Sequence, residues 1–420
     1  MAVTNPRTAR LSDPSLPAVH DLLGSAVPAP LRIALASSGV RLLSATAKQV
    51  TWWPGESITV RYTADVEGAL AGRHQVVAVS GAVPPGATVV ESGDASVGVW
   101  IVPHDPALPG LASALDPGTL RRLLDDLGAV TTDDPVARLR AYRPGRRAVV
   151  EVAGRSGSVY IKLVPPDEVA RLHRVHTTLA SHLPVPRSLG YDAALGMVVL
   201  QALTGVTLRA ALDSLGQPLP SADALDRLLG SLPANAASRR ARSAIDRLDR
   251  VHRLLQALLP DEEDRLTQLV TSIGHDDADR GTAVHGDFYE AQVLVDGGGV
   301  AGLLDVDTFG WGRVGEDQAT MIGHLSLWQQ LSKTPDRTRR FGAELLRRWD
   351  ADLDPVDLRR RAAAVIVSLA TGPFRVQRHA WPEETRRRLK LAESWVESAR
   401  SLDEGHLMSG SSSSHGGRAS

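Results

Sequence analysis

A short stretch in the second half of the chain combines residue types that could hold a metal ion and accept a proton. His285, Gly286 and Asp287 form a tripeptide typical of a turn. Gln292 follows five residues after Asp287, and Asp305 ends an apolar run. Carboxylate and amide oxygens are ligands that Mg²⁺ prefers, and a free carboxylate can accept the proton of an attacking hydroxyl. The pattern predicts metal-assisted phosphoryl transfer, with Asp287 as the base and with Gln292 and Asp305 as metal ligands.

The residues between Gln292 and Asp305 explain how two positions 13 residues apart could meet. Apolar residues at 293–295 and 301–304 flank the glycine-rich segment 296–299. Two apolar runs around glycines are typical of a β-hairpin, whose paired strands return the chain to its starting point. We therefore expect Asp305 to lie beside Gln292.

Lysine is rare in this chain, so a lysine in a strand that leads into a helix is informative. Of 47 Lys and Arg residues only four are Lys, and one of them, Lys162, lies in the strand-like run 159–164 before a predicted helix. An ammonium group can act as a point charge on phosphate oxygens. We predict that Lys162 contacts the phosphates of a nucleotide.

The composition is that of an ordinary folded protein and excludes several kinds of site. At 420 residues the chain is long enough for two or three domains. A net charge of −1 argues against nucleic-acid or membrane binding, and the lack of cysteine excludes disulfides and Cys-ligated zinc. The N-terminus has no apolar signal core, and no apolar run reaches the length of a membrane span. We predict a cytoplasmic protein, and the sequence gives no basis for an oligomeric state.

Hydrophobic patterns predict a strand-rich first part and a helical second part. Strands are predicted at 58–62, 75–79, 99–102, 148–152, 159–164, 188–191 and 197–203. Helices are predicted at 120–127, 167–182, 222–230, 236–259, 261–273, 316–332, 337–350, 355–371 and 383–402. This order indicates an α+β fold with two lobes. The predicted divisions are a cap region at 1–135, a strand-rich lobe at 136–204, a helical lobe at 205–402 and a disordered tail at 403–420.

Two strand blocks of the chain look alike. A Pro-Gly turn precedes the strand in both 53–62 and 143–152. An internal repeat would explain the likeness, but Pro-Gly before a strand is a common turn, so coincidence explains it equally well. If the repeat is real, Ala78 falls roughly where Lys162 stands, and the first copy is a structural cap.

The motif from His285 to Asp287, with Gln292 and Asp305, resembles the catalytic loop and metal-binding segment of the aminoglycoside phosphotransferase/choline kinase-like superfamily. The resemblance covers roughly residues 136–400. It implies the bilobal protein-kinase-like fold, with ATP and Mg²⁺ as cofactors and a small-molecule hydroxyl as the acceptor.

The resemblance also implies roles for residues outside this motif. The segment 199–205 is similar to the hinge that pairs with adenine, so Gln201 and Leu203 are expected to bind the nucleotide. The strand that carries Lys162 looks like the one that carries the ATP-binding lysine. Four further side chains are expected to support the site, namely Glu168 (paired with Lys162), His285 and Asp317 (bracing the catalytic loop), and Asp307 (behind the metal ligands or on the surface).

Two features depart from the family pattern. The usual motif has Asn where this chain has Gln292, which keeps the carbonyl oxygen and adds one methylene group. A Gln here also resembles the maltokinase-like branch, and its alternative role is to brace the loop. The segment from Arg143 to Arg147 takes the place of a glycine-rich phosphate loop.

The sequence leaves the acceptor open. Residues 331–400 contain 16 Lys and Arg and 10 Asp and Glu, a net charge of +6. A polycationic acceptor would favour an acidic cleft, so this balance favours a neutral or anionic molecule such as a sugar, although Arg runs usually face solvent. The alternatives to an antibiotic kinase are a sugar kinase of maltokinase or glucosamine-kinase type and an inactive nucleotide-binding pseudokinase. A protein kinase is disfavoured, because the loop reads His-Gly-Asp instead of His-Arg-Asp.

Overall fold

The computed structural model describes residues 11–93, 95–126, 135–154, 157–275 and 281–412, with side chains as far as residue 404. The chain begins with a first unit built on one antiparallel sheet. Its elements are α1 (Ala18–Leu23), α2 (Ala29–Ala36), β1 (Val40–Trp53), β2 (Ser57–Gly68), β3 (Gly72–Ser80), β4 (Thr88–Ser92) and β5 (Ala95–Ile101). The strand order of this first sheet is β1-β2-β3-β5-β4. Every second side chain of β2 is buried, because alternate residues of a strand point to opposite faces.

The second unit has the sheet that carries Lys162. Its elements are α3 (Gly110–Leu115), α4 (Pro117–Asp126), β6 (Val136–Arg143), β7 (Arg147–Gly154), β8 (Gly157–Leu163), α5 (Pro166–Leu179), β9 (Ser188–Asp192) and β10 (Met197–Gln201). The order of this second sheet is β6-β7-β8-β10-β9. Helices α3 and α4, which lie inside the predicted cap region 1–135, pack with one face of the second sheet. Helix α5 covers the opposite face, where Val169 and Leu172 contact Val198 and Leu200.

The two sheets share more than their strand order. Asp13 accepts hydrogen bonds from the Gly55 N–H at 2.8 Å and from the Trp52 indole N–H at 3.2 Å. Asp105 likewise accepts hydrogen bonds at 2.8 Å from the Gly145 N–H and from the Tyr142 hydroxyl. Tyr142 corresponds to Trp52. Each aspartate begins the sequence Asp-Pro-x-Leu-Pro before a short helix. Matching turns, anchors and strand order support an internal duplication in which the first copy has no helix corresponding to α5.

The sheet register corrects one detail of the repeat. Thr59 pairs with Val79 in the first sheet, and Val149 pairs with Lys162 in the second. Thr59 and Val149 hold the same place in their strands, counted from the Pro-Gly turn. Val79, and not Ala78, therefore corresponds to Lys162, and its apolar side chain packs between the two sheets.

The rest of the chain is mostly helical. Its elements are β11 (Val206–Thr207), α6 (Leu208–Leu212), α7 (Ala222–Gly230), α8 (Leu248–Leu258), α9 (Glu263–Ile273), β12 (Gly281–Val284), β13 (Val293–Asp296), β14 (Gly299–Leu303), β15 (Gly310–Arg313), α10 (Glu316–Trp328), α11 (Pro335–Trp349), α12 (Pro355–Ala370), α13 (Gly372–Arg375) and α14 (Trp381–Ser412). The predicted α+β class is confirmed, with a strand-rich lobe, a helical lobe and an extra N-terminal unit. Among the described residues, no helix combines the length and hydrophobicity needed to cross a membrane.

Two predicted elements differ from the structure. The helix predicted at 236–259 is α8 alone, because the segment before it pairs with β15. Ala241 N–H donates to the Trp311 carbonyl at 2.8 Å, and Trp311 N–H donates to the Arg239 carbonyl at 2.7 Å. At the other end, α14 continues to Ser412, past residue 403 where we predict the start of a disordered tail.

The first sheet packs against both other parts of the molecule. Its side chains share one apolar core with α8, α9, α12 and α14. Val77, Val79 and Trp100 on its other face share a second core with the second sheet. Trp52 joins the first of these cores, with its ring centroid 6.4 Å from that of Phe374. The first sheet therefore links the lobe that carries Lys162 to the helical lobe.

We predict that Trp52→Ala lowers the free energy of unfolding by about 3–5 kcal/mol, because it leaves a cavity in this shared core and removes the indole donor to Asp13. Urea unfolding followed by fluorescence measures the change. Leu215→Ala is the matched control, because Leu215 is 80% exposed and its truncation should change stability by less than about 0.5 kcal/mol. A loss below about 1 kcal/mol for Trp52→Ala would contradict the linking role of this core.

Candidate active site

The turn that follows β12 holds Asp287 in place through the His285 ring. His285 is fully buried, and its Nε2–H donates to the Leu304 carbonyl at 2.8 Å. Its Nδ1 accepts the Asp287 backbone N–H at 3.2 Å. These two bonds assign the proton to Nε2. The turn needs glycine at Gly286 because its φ is +80° and because a Cβ there would lie 2.9 Å from the Thr308 carbonyl oxygen. His285 thus ties the segment of Asp287 to the segment that precedes Asp305.

Asp317, in the first turn of α10, braces the same turn from behind. Its two carboxylate oxygens accept the backbone N–H groups of His285 at 2.7 Å and of Gly286 at 2.9 Å. Burial raises the pKa of Asp317, while His285 and the two N–H groups oppose that shift. A carboxylate near a helix N-terminus is also favoured by the helix dipole. The turn is therefore held on both sides by side chains that the sequence analysis singled out.

The hairpin of β13 and β14 brings Gln292 to Asp305 as its glycine-rich turn predicts. Val293 pairs with Leu303, and the Leu304 N–H donates to the Gln292 carbonyl at 2.8 Å. The side-chain Nε2 of Gln292 lies 3.5 Å from Asp305 Oδ2. Asp305 itself has a φ of +55°, a strained backbone conformation for a non-glycine residue and one that is common at functional sites. The two predicted metal ligands are neighbours.

Lys162 reaches across from the second sheet to this hairpin. Its Nζ donates to Asp305 Oδ1 at 2.7 Å and also to Asp307 Oδ1. The Lys162 side chain is 6% exposed. Burial lowers its pKa, but Asp307 and Asp305 outweigh that effect, so the pKa of Lys162 lies above its ordinary value. Lys162 is therefore a buried, charged group that joins the two lobes.

Arg147, in the segment that takes the place of a phosphate loop, is a second cation on Asp305, a pairing that the sequence did not predict. Its Nη1 and Nη2 donate to the two oxygens of Asp305, each at 3.1 Å. Burial would raise the pKa of Asp305, but Lys162 and Arg147 outweigh it and hold that pKa well below the ordinary value. The arginines of the turn between β6 and β7 were a signal that could have identified Arg147. We call residues 143–147 the arginine hairpin.

The arginine hairpin is fixed from behind by Asp105. This buried carboxylate accepts the Gly145 N–H and the Tyr142 hydroxyl, both at 2.8 Å, and Trp100 Nε1 donates to Tyr142 at 3.1 Å. Asp105 was not predicted, because it lies outside the repeat that the sequence analysis compared. A charged acceptor makes these hydrogen bonds stronger than neutral ones. The position of Arg147 over Asp305 is therefore set by a network behind the turn.

Asp287 lies in an enclosed part of the site with a second carboxylate nearby. Burial and the neighbouring Asp305 raise the pKa of Asp287, while His285, Arg147 and Arg143 oppose the shift. A carboxylate whose pKa is raised is a better proton acceptor once it is ionised.

The structure does not bring Glu168 to Lys162. Glu168 lies in the first turn of α5 and pairs with Arg171 at 2.8 Å, with nearly half of its side chain exposed. Asp307 takes the place of the expected partner, and Arg171 approaches the Asp307 carbonyl at 3.4 Å. The expected pairing was wrong because the helix presents Glu168 to solvent.

The predicted hinge lies at the end of β10. Gln201 pairs with Val159 in the second sheet, and its side chain is exposed. Leu203 lies in the connection that follows, and among the described residues no loop hydrogen bond uses its backbone groups. A free backbone donor and acceptor at this place fit pairing with a planar base.

The donor set suits a magnesium ion shared with phosphates. Among the described residues, no three His, Cys, Asp or Glu side chains are grouped to hold a metal ion by themselves. Mg²⁺ commonly uses one or two carboxylates together with substrate phosphates, so a complete protein cage is not required. Asp305 and Gln292 supply oxygens of the right kind, and the adjacent Lys162 and Arg147 supply positive charge for phosphates.

A family model described as "Phosphotransferase enzyme family" matches residues 138–365, more than half of the chain. No curated protein matches the chain. Among solved structures, a macrolide 2′-phosphotransferase of Brachybacterium faecium is 17% identical, with 64% of this chain and 97% of that chain covered and a TM-score of 0.38. An aminoglycoside phosphotransferase of Streptomyces rimosus, in complex with ADP and streptomycin, is 18% identical, with 53% and 90% covered and a TM-score of 0.38. A thermostable mutant of another aminoglycoside phosphotransferase is 12% identical, with 66% and 97% covered and a TM-score of 0.45.

We predict that Asp105→Ala loosens the arginine hairpin, because the Gly145 N–H and the Tyr142 hydroxyl lose their buried acceptor. Each unpaired group costs about 1–3 kcal/mol. Hydrogen exchange of a peptide that spans the hairpin should become about tenfold faster or more. The matched control is Asp13→Ala, which removes the same anchor from the first sheet and should leave exchange at the arginine hairpin unchanged. Equal effects of both variants on that peptide would contradict a local anchor.

Proposed function

The chain belongs to the phosphotransferase enzyme family, and from this premise we propose that it transfers the γ-phosphoryl group of ATP to a hydroxyl group of a small molecule. The family match agrees with the resemblance that the sequence suggests. One observation carries the proposal: Asp287, Gln292 and Asp305 meet beside a buried lysine that comes from the other lobe. These side chains supply what phosphoryl transfer requires, namely positive charge for the phosphates, oxygens for a metal ion and a carboxylate that orients the attacking hydroxyl.

Asp287 acts as the base in this proposal. The acceptor oxygen attacks the γ-phosphorus, its proton passes to the Asp287 carboxylate, and the bond from γ-phosphorus to the β-phosphate oxygen breaks to release ADP. His285 and Asp317 act only on the loop, through the hydrogen bonds that fix its backbone. Positioning of this kind, more than covalent chemistry, is the main contribution of the protein in phosphoryl transfer.

Asp305 and Gln292 are the proposed magnesium ligands. The ion, when bound, neutralises negative charge on the phosphates. Asp305 carries a full charge at neutral pH because its pKa is held low, which suits a metal ligand. The Gln292 amide presents its nitrogen to Asp305 in the structure, and the opposite orientation of this amide would present the carbonyl oxygen.

The nucleotide lies between the two lobes in this proposal. Lys162 contacts its phosphates, Asp307 holds Lys162, and the connection from Gln201 to Leu203 binds the base. We extend the phosphate contacts to Arg147, since the arginine hairpin covers Asp305 from the side of the second sheet. We also propose residues 136–204 as the nucleotide-binding lobe, residues 205–402 as the acceptor-binding lobe, and residues 1–135 as the cap.

An inactive nucleotide-binding protein is the second candidate, and one observation favours it. Both oxygens of Asp305 are already paired with cations, by Lys162 and Arg147. Calorimetry with ATP and Mg²⁺, together with an assay of phosphate transfer to sugars and antibiotics, separates the candidates. Transfer to any acceptor supports the kinase, whereas tight nucleotide binding without transfer supports the inactive protein.

We predict that Asp287→Asn lowers turnover by at least about 1,000-fold, because the amide cannot accept the hydroxyl proton, while the Kd for ATP changes less than about threefold. Turnover is measured with a coupled ADP assay, and binding with calorimetry. Asp296→Asn is the matched control, since Asp296 is an exposed carboxylate at the hairpin turn and should keep full turnover. Full activity of Asp287→Asn would contradict the assignment of Asp287 as the base.

We predict that Arg147→Gln strengthens the binding of Mn²⁺ to the nucleotide-free protein by about tenfold, because one of the two cations on Asp305 is removed. Mn²⁺ binding is followed by electron paramagnetic resonance. Arg146→Gln changes the same total charge at an exposed position of the same turn and should leave the affinity nearly unchanged. An equal gain in both variants would show a general charge effect and not competition at Asp305.

A further inference from the structure

A cluster of aromatic and basic side chains lies beside the catalytic loop, and the proposed roles do not use it. Tyr289 follows Asp287 by two residues, and its ring stacks on the His324 ring of α10 with centroids 4.0 Å apart. The Gln292 amide donates to the Tyr289 hydroxyl at 3.2 Å. Arg209 lies over both Tyr289 and Trp328, at 5.7 Å and 4.6 Å from their ring centroids. The cluster therefore borders both the proposed base and the proposed metal ligand.

His324 is the member of this cluster with unused hydrogen-bonding capacity. Among the described residues, no side chain or backbone group forms a hydrogen bond with either of its ring nitrogens. The buried side-chain atoms without a partner do not include these nitrogens, and the residue is partly exposed. The ring is half-buried against Tyr289, and part of it stays accessible. The nitrogens of His324 are thus open to a ligand.

His324 is neutral at ordinary pH. Burial together with Arg209 and Arg388 lowers its pKa to about 3. A neutral imidazole has one N–H donor and one nitrogen acceptor. Hydroxyl groups also donate and accept, so they match both sides of this ring better than an ammonium group, which only donates.

The charges around His324 act against a cationic ligand. Arg209 and Arg388 both lower the pKa of His324, and Arg375 likewise lowers the pKa of Arg388 and of Arg143 in the arginine hairpin, so this side of the site is rich in positive charge. Among the acidic groups on this side, Glu290 pairs with Arg209 through one oxygen at 2.6 Å and its other oxygen has no partner. Glu384 pairs with Arg378 and raises the pKa of Arg388, and Asp287 is the proposed base. Burying a further positive charge here would be opposed by these arginines.

We propose that His324 hydrogen-bonds the acceptor, and that the acceptor is a hydroxylated ring without net positive charge, in the manner of a neutral sugar. The inference rests on the proposed phosphoryl transfer and adds the substrate class. Tyr289 fixes the orientation of the imidazole through the ring stack. The Tyr289 hydroxyl can hydrogen-bond Gln292 in either orientation of the amide, because a hydroxyl both donates and accepts. Because Tyr289 follows Asp287 by two residues, a hydroxyl held by His324 lies on the side of the catalytic loop that carries the base.

Two substitutions at His324 separate hydrogen bonding from packing. His324→Phe keeps the stack on Tyr289 and removes both nitrogens, whereas His324→Gln keeps a neutral donor and acceptor. We expect His324→Phe to raise the KM for the acceptor about tenfold, with the KM for ATP unchanged, because one hydrogen bond to the ligand is lost. His324→Gln should restore most of the loss. Gln330→Ala, at an exposed position just beyond α10, should behave as the wild type.

The assay uses ATP with two sets of acceptors at equal concentration. Glucose, maltose and N-acetylglucosamine form the neutral set, and kanamycin and streptomycin form the polycationic set. We expect wild-type transfer to the neutral set to exceed transfer to the polycationic set by at least about tenfold in kcat/KM.

The outcomes distinguish the inference from the proposed function. Transfer confined to the polycationic set would overturn the inference and leave the proposed function standing. Tight ATP binding with no transfer to either set would overturn the proposed function, and the inference with it. Wild-type acceptor KM in His324→Phe, or an equal rise in the KM for ATP and for the acceptor, would overturn the role of His324.

Discussion

The charge of Asp305, whose side chain is only 17% exposed, is the constraint around which the site is organised. A carboxylate can be held away from water only if cations or donors accompany it, and both cations come from the other lobe. Lys162 extends from β8 and Arg147 from the start of β7. Both ion pairs with Asp305 form only if the second sheet keeps a fixed distance from the β13–β14 hairpin. On the opposite side, the His285 ring holds the Leu304 carbonyl, which sets the strained backbone of Asp305. Alteration of any one of these partners leaves a charge or a polar group without its complement.

This arrangement also explains why the anchors lie far from the carboxylate. Arg147 can face Asp305 only if the arginine hairpin keeps its position relative to Asp305. Asp105 holds the hairpin in that position by accepting the Gly145 N–H from behind the turn. The first unit uses the same device at Asp13, although none of the predicted site residues lies in that unit. The anchor is therefore a property of the duplicated fold, which the second copy uses to place a cation over the site.

The parts of the site that lie close together in sequence are the parts that could be predicted. The spacing of Asp287, Gln292 and Asp305 and the glycine-rich turn between them specify a hairpin, and a hairpin specifies which side chains meet. Lys162 was identifiable because lysine is rare. The partner of Lys162 was not: Glu168 was expected, and the observed pairing with Asp307 depends on how α5 is rotated against the helical lobe. Arg147 and Asp105 depend likewise on contacts between distant segments.

The errors in secondary structure have a similar origin. Residues 236–247 contain good helix formers, but two of them pair with Trp311, and tertiary hydrogen bonds outweigh local propensity. The repeat was undecided from the Pro-Gly turn alone. Strand order and the paired aspartate anchors decide it, and they require the folded chain.

The first sheet has a consequence for how the two lobes can move relative to each other. Two lobes joined only by a short connection can separate as rigid bodies. Here the same sheet contributes to the cores of both lobes, so separation would expose buried apolar surface at about 25 cal/mol for each Å². In the proposed reaction, entry and exit of ligands therefore depend on local displacements such as those of the arginine hairpin, because the first sheet holds the two lobes together.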